Sequence, residues 1–198
     1  MKWIGLLILV CLGLEAKAQK FPSEFWHEGK IIREGGDTLT GSVKYDLQND
    51  VVQFSNGEKL DSYTARKLTF FEIFDVTSKH YRQFYSIPYA ASGGYKAPIF
   101  FELLAEGKMT LLCRESIEYR NSNSSFYSYG TSTRLVLVYH YYLLNENGET
   151  EPFNGKRADL ILLMGNKGAV VEKYIKTNKL NLDDRNEFTE IIRYYNSL

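Results

Sequence analysis

Apolar and polar residues alternate with a period of two along most of this chain, and the period turns helical only near the C-terminus. Residues 98–118, PIFFELLAEGKMTLLCRESIE, hold the densest apolar run after the N-terminus and carry their own turn. Ala105-Glu106-Gly107 suits a three-residue hairpin loop, with Gly107 where φ is positive. That register pairs Leu103 with Met109, Phe101 with Leu111 and Ile99 with Cys113, which makes one face wholly apolar. The other face then carries Phe100, Glu102, Leu104, Thr110, Leu112 and Arg114. A slip of one residue would exchange the two faces, so this hairpin is the expected nucleus of a sheet.

The same pattern predicts further strands on both sides. Residues 29–45, GKIIREGGDTLTGSVKY, read as a hairpin turning at Glu34-Gly35-Gly36-Asp37, with Leu39, Gly41, Val43 and Tyr45 alternating against polar neighbours. A short strand over 51–54 ends at the turn Ser55-Asn56-Gly57-Glu58. Residues 63–66 suit one helical turn before an apolar strand over 67–75, which 80–85 would pair across a turn at 76–79. Two stretches break the pattern and are expected as loops: 86–98, with two prolines and a Gly-Gly pair, and 121–133, NSNSSFYSYGTST. Residues 134–145, RLVLVYHYYLLN, make a long strand that is apolar on both faces and so expected to be covered on both. Asn147-Gly148 turns it toward a last short strand near 150–153.

From Gly155 the period is helical. Residues 158–164 are apolar enough to be buried, with Gly165 as a stop. Val171, Tyr174 and Ile175 form a stripe on a second helix. Asp184 and Glu187 resemble a capping box for a third, whose Phe188, Ile191, Ile192 and Tyr195 lie on one face. Strands first and helices last predict an α+β protein: a predominantly antiparallel sheet of hairpins with two to three C-terminal helices. The divisions expected are a signal peptide over 1–18, a β domain over 19–154, and a helical segment over 155–198 packed on it.

Composition refines this picture at the N-terminus. Lys2, the apolar run of 3–14 and Ala16-Lys17-Ala18 form a signal peptide cleaved before Gln19; the run is too short to span a bilayer. Val10 stands where a lipobox needs a small residue, so Cys11 is not read as a lipidation site. The expected mature chain has no transmembrane span, a net charge of −1 and Cys113 as its single cysteine, so packing rather than a disulfide must stabilise it. Balanced charge, with 24 basic and 24 acidic residues in the full chain, gives no electrostatic reason to expect nucleic acid. With 15 Tyr and 12 Phe against 4 Pro, the composition favours a β-rich fold over disorder.

Motifs for familiar chemistry are missing. His27, His80 and His140 lack metal-ligand spacing and read as surface or cross-strand residues; Cys113 reads as a small buried hydrophobe beside Ile99. There is no nucleophile elbow, P-loop or dinucleotide fingerprint, so no catalytic residue, metal or cofactor is assigned. Glu102 with Glu115, or Asp159 with Glu172, are carboxylate pairs that sequence cannot place across a cleft. The better candidate surface is aromatic: Tyr89, Tyr95 and Lys96 in one loop, and Tyr127 and Tyr129 in the other. These loops flank the central hairpin and are expected to meet at one end of the sheet.

The segments EGGDTLTGSVKYD, YRQFYSIPY, YKAPIFFELLAEGKMTLLCRE and KYIKTNKLNLDDRNEFTEIIRYYNSL resemble uncharacterised exported proteins of Bacteroidetes bacteria. The resemblance implies a cell-envelope address, periplasmic or on the outer surface, and no activity. The functional expectation is a non-catalytic envelope binding or assembly module whose partner is an envelope protein or glycan. The alternative is a hydrolase acting on cell-wall or glycan material, which a pocket joining two carboxylates, or a carboxylate with His80 or His140, would favour.

Overall fold

The computed structural model describes residues 20–90, 94–122, 132–145 and 147–198; the expected signal peptide lies outside them. The described strands are β1 (His27–Arg33), β2 (Thr38–Asp46), β3 (Val51–Ser55), β4 (Leu60–Thr64), β5 (Leu68–Asp75), β6 (His80–Tyr89), β7 (Ala97–Ala105), β8 (Thr110–Ser122), β9 (Ser132–Leu144) and β10 (Thr150–Pro152). Three helices follow, α1 (Arg157–Leu163), α2 (Gly168–Asn178) and α3 (Arg185–Asn196). The fold is α+β. All ten strands pair antiparallel in one sheet, in the order β10-β9-β8-β7-β6-β5-β1-β2-β3-β4.

The N-terminal half of the sheet curls on itself. Tyr45 of β2 lies 5.2 Å from Phe71, 5.5 Å from Phe84 and 5.9 Å from Phe100 of β7, although three strands separate β2 from β7. Such curvature requires backbones in close approach. Gly29 and Gly41 face each other in the ladder; a Cβ on Gly29 would sit 2.1 Å from the Glu72 carbonyl, and one on Gly41 2.4 Å from that of Ser55. Inside the curl, Ile31, Val43, Val52, Phe71, Ile73, Phe84 and Phe100 form one buried core.

The C-terminal half keeps the same face open, and the helices cover it. Leu111 and Cys113 of β8, with Leu104 and Ala105, pack against Leu160, Val171, Ile175, Phe188, Ile191 and Ile192. Asp184 caps α3, its carboxylate accepting from the amides of Asn186 at 2.9 Å and Glu187 at 3.0 Å. The capping box is only half formed, because Glu187 accepts from the Asn181 amide at 2.6 Å instead of reaching back.

The central hairpin has a different register from the one its turn suggested. Glu102 faces Cys113, Leu103 faces Leu112 and Ala105 faces Leu111, with a bulge between Leu103 and Ala105. Asn196 at the end of α3 sets the longer loop: it accepts from the Met109 amide and donates to the carbonyls of Glu106 and Met109. A shift by an odd number of residues exchanges faces. Leu111 and Cys113 therefore lie with Glu102 under the helices, and Cys113 is not beside Ile99. Phe101 is buried on the opposite face, 5.7 Å from Tyr89 and 5.0 Å from Tyr142.

Other expectations are corrected as well. Residues 63–66 are not a helical turn: Leu60–Thr64 is a strand paired with β3. Much of 86–98 is strand, with Pro88 opposite Pro98. The Phe100 amide points away from β6, toward Asp50, so Pro98, two residues earlier, lacks only a donor on the side that β8 has left. In the N-terminal arm Phe21 is buried, whereas Phe25 and Trp26 are exposed. Of the two readings of His27, surface or cross-strand, the second applies: it is buried, with Nδ1 3.2 Å from the Phe74 carbonyl on the neighbouring β5 and Nε2 2.9 Å from that of Pro22. The long strand β9 lies next to the sheet's edge, and the helices pack on only one of its faces.

Candidate functional site

Of the residues nominated from sequence, Tyr89, Tyr95 and Lys96 are described. Tyr89 is half-buried on β6, its ring against Phe101 and Tyr142. Tyr95 is 70 % exposed and its hydroxyl accepts from Arg66 at 3.2 Å, which turns it toward the β4–β5 connection; Lys96 is exposed beside it. Tyr127 and Tyr129 lie outside the described residues.

Glu102 and Glu115 do meet, inside the protein. Arg82 donates Nε to Glu102 Oε1 at 2.8 Å, and Nη2 to Glu102 Oε2 at 2.6 Å and Glu115 Oε1 at 2.7 Å. Its Nη1 lies 3.8 Å from Asp75. Arg185, at the start of α3, bonds the same Glu102 and comes within 3.7 Å of Glu115. Burial pushes the Glu115 carboxyl above its ordinary range, against the pull of Arg82. Burial would also raise Asp75, but the amides of Thr77 and Ser78 and the nearby Arg82 outweigh it and hold that carboxyl low. Both glutamates are enclosed and held by guanidinium groups, so the pair leaves no gap for water and a sugar ring. The network joins the two cores across the sheet.

His140 also meets a carboxylate, on the open face of the β8–β9 ladder. Ser116 Oγ is 2.9 Å from His140 Nε2, and Glu118 Oε1 is 3.2 Å from that same nitrogen. A nucleophile–base–acid relay needs the acid on the other ring nitrogen, where it can orient the base. All three side chains lie on a strand surface, Glu118 and His140 well exposed. The geometry is that of a cross-strand polar cluster. Among the described residues no group of His, Cys, Asp and Glu is arranged to hold a metal.

The feature that does offer a site arises where β8 leaves β7. Their pairing stops at Glu102–Cys113, yet β8 runs on to Ser122. Side chains take the place of the missing ladder: Asp50 accepts from the Phe100 amide at 3.3 Å, and Arg114 donates to the Phe100 carbonyl at 2.6 Å. Arg114 and Asp50 pair at 3.2 Å, and Tyr45 donates to Asp50 at 2.5 Å. Burial, reinforced by the Asp50 charge, raises the Tyr45 hydroxyl well above the usual tyrosine range. Beyond Cys113, β8 has β9 as its one strand neighbour among the described residues.

β9 in turn has an open outer edge. β10 pairs with it only at Tyr142, Leu143 and Leu144, and the Phe153 amide adds a bond to the Tyr141 carbonyl at 2.8 Å. Gly155, at φ 79°, then turns the chain off into α1. Since the Tyr141 carbonyl points outward, the backbone groups of Leu135, Leu137 and Tyr139 point outward too, and no described strand meets them. Beside this edge lies a depression of about 610 Å³, lined by Tyr139, Tyr141, Phe153, Asn154, Leu182 and Asp183 among others. Arg185 sits over the Tyr139 ring at 5.7 Å, and burial raises the Tyr139 and Tyr141 hydroxyls. The Tyr141 hydroxyl has no hydrogen-bond partner among the described residues. At the far end Arg120 and Arg134 stand directly opposite each other, a like-charge pair with no acidic partner among the described residues.

No family model, no curated protein and no solved structure matches this chain. The site is therefore read from its own geometry. Sequence reasoning pointed to the apolar run of β9 and to the turn at Asn147-Gly148. It missed the open edge because an apolar run like that of β9 reads as a covered strand, even with a short last strand expected. The signal was present in Pro152 and Gly155, which end the last strand early.

Proposed function

We propose that the protein is an exported, non-catalytic binding or assembly module of the cell envelope, which accepts an extended segment of another polypeptide along the outer edge of β9. One observation carries the reading: a thirteen-residue apolar strand whose outer side meets β10 at only three ladder positions. A long, flat, apolar edge is a template for strand addition, in which backbone bonds give affinity and alternate side chains give selectivity. The lane is antiparallel to β9 and continues that of β10. Its mouth, at Arg120 and Arg134, favours a segment with a carboxylate opposite them. The envelope address rests on the N-terminal pattern of residues 1–18 and on the resemblance to exported proteins.

The test uses Leu137→Pro. Its amide points away from β8, so proline removes an outward donor and leaves the β8–β9 ladder intact. With a photo-crosslinking residue at Leu135 in the native envelope, the wild type should capture a partner through an extended segment. Leu137→Pro should lose that product, and Leu137→Thr, which keeps the donor, should retain it. Equal capture by the folded proline variant would refute strand addition.

A further inference from the structure

The corner between α1 and α2 presents apolar side chains that the fold leaves outside. Leu162 is 81 % exposed, Leu163 58 % and Val170 45 %. Their positions follow from the helix's fixed rotation: Leu160 and Met164 are buried in the core, and Asp159 accepts from Asn154 at 2.9 Å. With Leu160 and Met164 set inward, Leu162 must point outward, and Leu163 lies on the flank between core and solvent. The helix ends in the short 3-10 turn Gly165–Lys167, and α2 leaves with Ala169 and Val170 exposed. Packing does not require leucine at 162 and 163; polar residues would serve α1 as well there.

The surroundings are basic. Between residues 156 and 176 stand Lys156, Arg157, Lys167, Lys173 and Lys176 against Asp159 and Glu172. Glu172 is paired with Lys176 at 2.7 Å. Lys108 and Glu151 both line a hollow of about 320 Å³ that Leu163 also lines, so the positive margin comes from the residues of α1 and α2. An apolar tip with a cationic margin matches a bilayer whose headgroups are anionic and whose acyl layer receives leucine side chains. A second copy would bring the same positive margin against itself, so charge favours the lipid surface as occupant.

We infer that the α1–α2 corner is a membrane-docking tip for anionic lipid, with Leu162 and Leu163 entering the interface and the lysines held at headgroup level. This inference is independent of strand addition at β9. The test is co-sedimentation of the purified protein with vesicles of phosphatidylcholine alone, or of equal parts phosphatidylcholine and phosphatidylglycerol. Binding should need phosphatidylglycerol and weaken as salt is added. Leu162→Ser and Leu163→Ser should each reduce the partition coefficient about tenfold or more. Lys156→Glu with Lys167→Glu should reduce it at least about fivefold per charge. Leu162 is almost fully exposed, so its single variant should melt as the wild type does, which separates lost binding from lost fold. Failure to sediment with anionic vesicles would overturn the proposal, as would unchanged binding by the leucine variants. Self-association through the corner, lost in Leu162→Ser, would overturn it in favour of a dimer.

Discussion

Replacing Arg82 with methionine tests the internal architecture most directly. Arg82 is buried, and its guanidinium is the shared partner of Glu102 and Glu115, with Asp75 nearby. Methionine keeps much of the apolar stem, which lies against Phe84, and deletes the charge. Two buried carboxylates are then left to Arg185 alone. Removing one partner of a buried ion pair costs about 3–5 kcal/mol. Arg185 still reaches both glutamates, so the lower end, about 3 kcal/mol, is expected. For a chain of this size that corresponds to a melting temperature lower by roughly 6–12 °C. The pH dependence fixes the mechanism. Glu115 has a raised folded-state pKa, so its contribution to stability is complete below the ordinary carboxylate range and is lost as pH rises through the folded value. Without Arg82 the charged form is penalised further. The deficit of Arg82→Met should therefore be largest near neutral pH and shrink on acidification toward the ordinary glutamate range. Denaturant melts across that range measure both effects. Adding Glu102→Gln and Glu115→Gln removes the stranded charges and should recover more than half of the loss. A deficit below about 1 kcal/mol, or one that grows in acid, would refute the network as the joint between the two cores.

Asp184→Ala should cost about 1 kcal/mol by removing the α3 cap, with Asp184→Asn close to wild type in the same thermal melts. Cys113 is buried and its thiol is pushed well above the usual range by burial, so an aromatic disulfide reagent should react only as fast as the protein unfolds. Rapid labelling of the native protein would mean that β8 does not lie under the helices.

Local sequence chemistry specified most of the elements, and non-local contacts decided what it left open. The turn at residues 34–37, the alternation of Leu39 to Tyr45, the stripe of α3 and the Asp184 cap all depend on neighbours within a few residues, and all are read correctly from the chain. The register of β7 and β8 is set instead by Asn196, some ninety positions away. The meeting of Arg82 with Glu102 and Glu115 depends on three strands coming together, so the sequence could name the two glutamates as a pair but not say where they meet. The open edge of β9 was hidden for the opposite reason: its residues are as apolar as those of a covered strand, and only the brevity of β10 exposes them. Tyr89, nominated as a loop residue, is half-buried on β6 with its ring against Phe101 and Tyr142, a meeting of three strands that its own neighbours in the chain do not announce.

The departure of β8 from β7 has a consequence for how the molecule opens. Past Cys113 the β8–β9 ladder is, among the described residues, a two-stranded ribbon, roughly two-thirds of a hairpin about 40 Å long. Such a ribbon is marginal in water without a third strand. Its amides belong to a low-energy opening unit, distinct from the ladders enclosed by the curl and from those under the helices. Hydrogen exchange should show residues 116–122 and 132–138 opening well before the rest of the sheet. Mild heat or denaturant would then erase the proposed docking lane while circular dichroism still reported a folded protein. A bound strand, as the third member of the ribbon, would bring those amides close to the protection of the core.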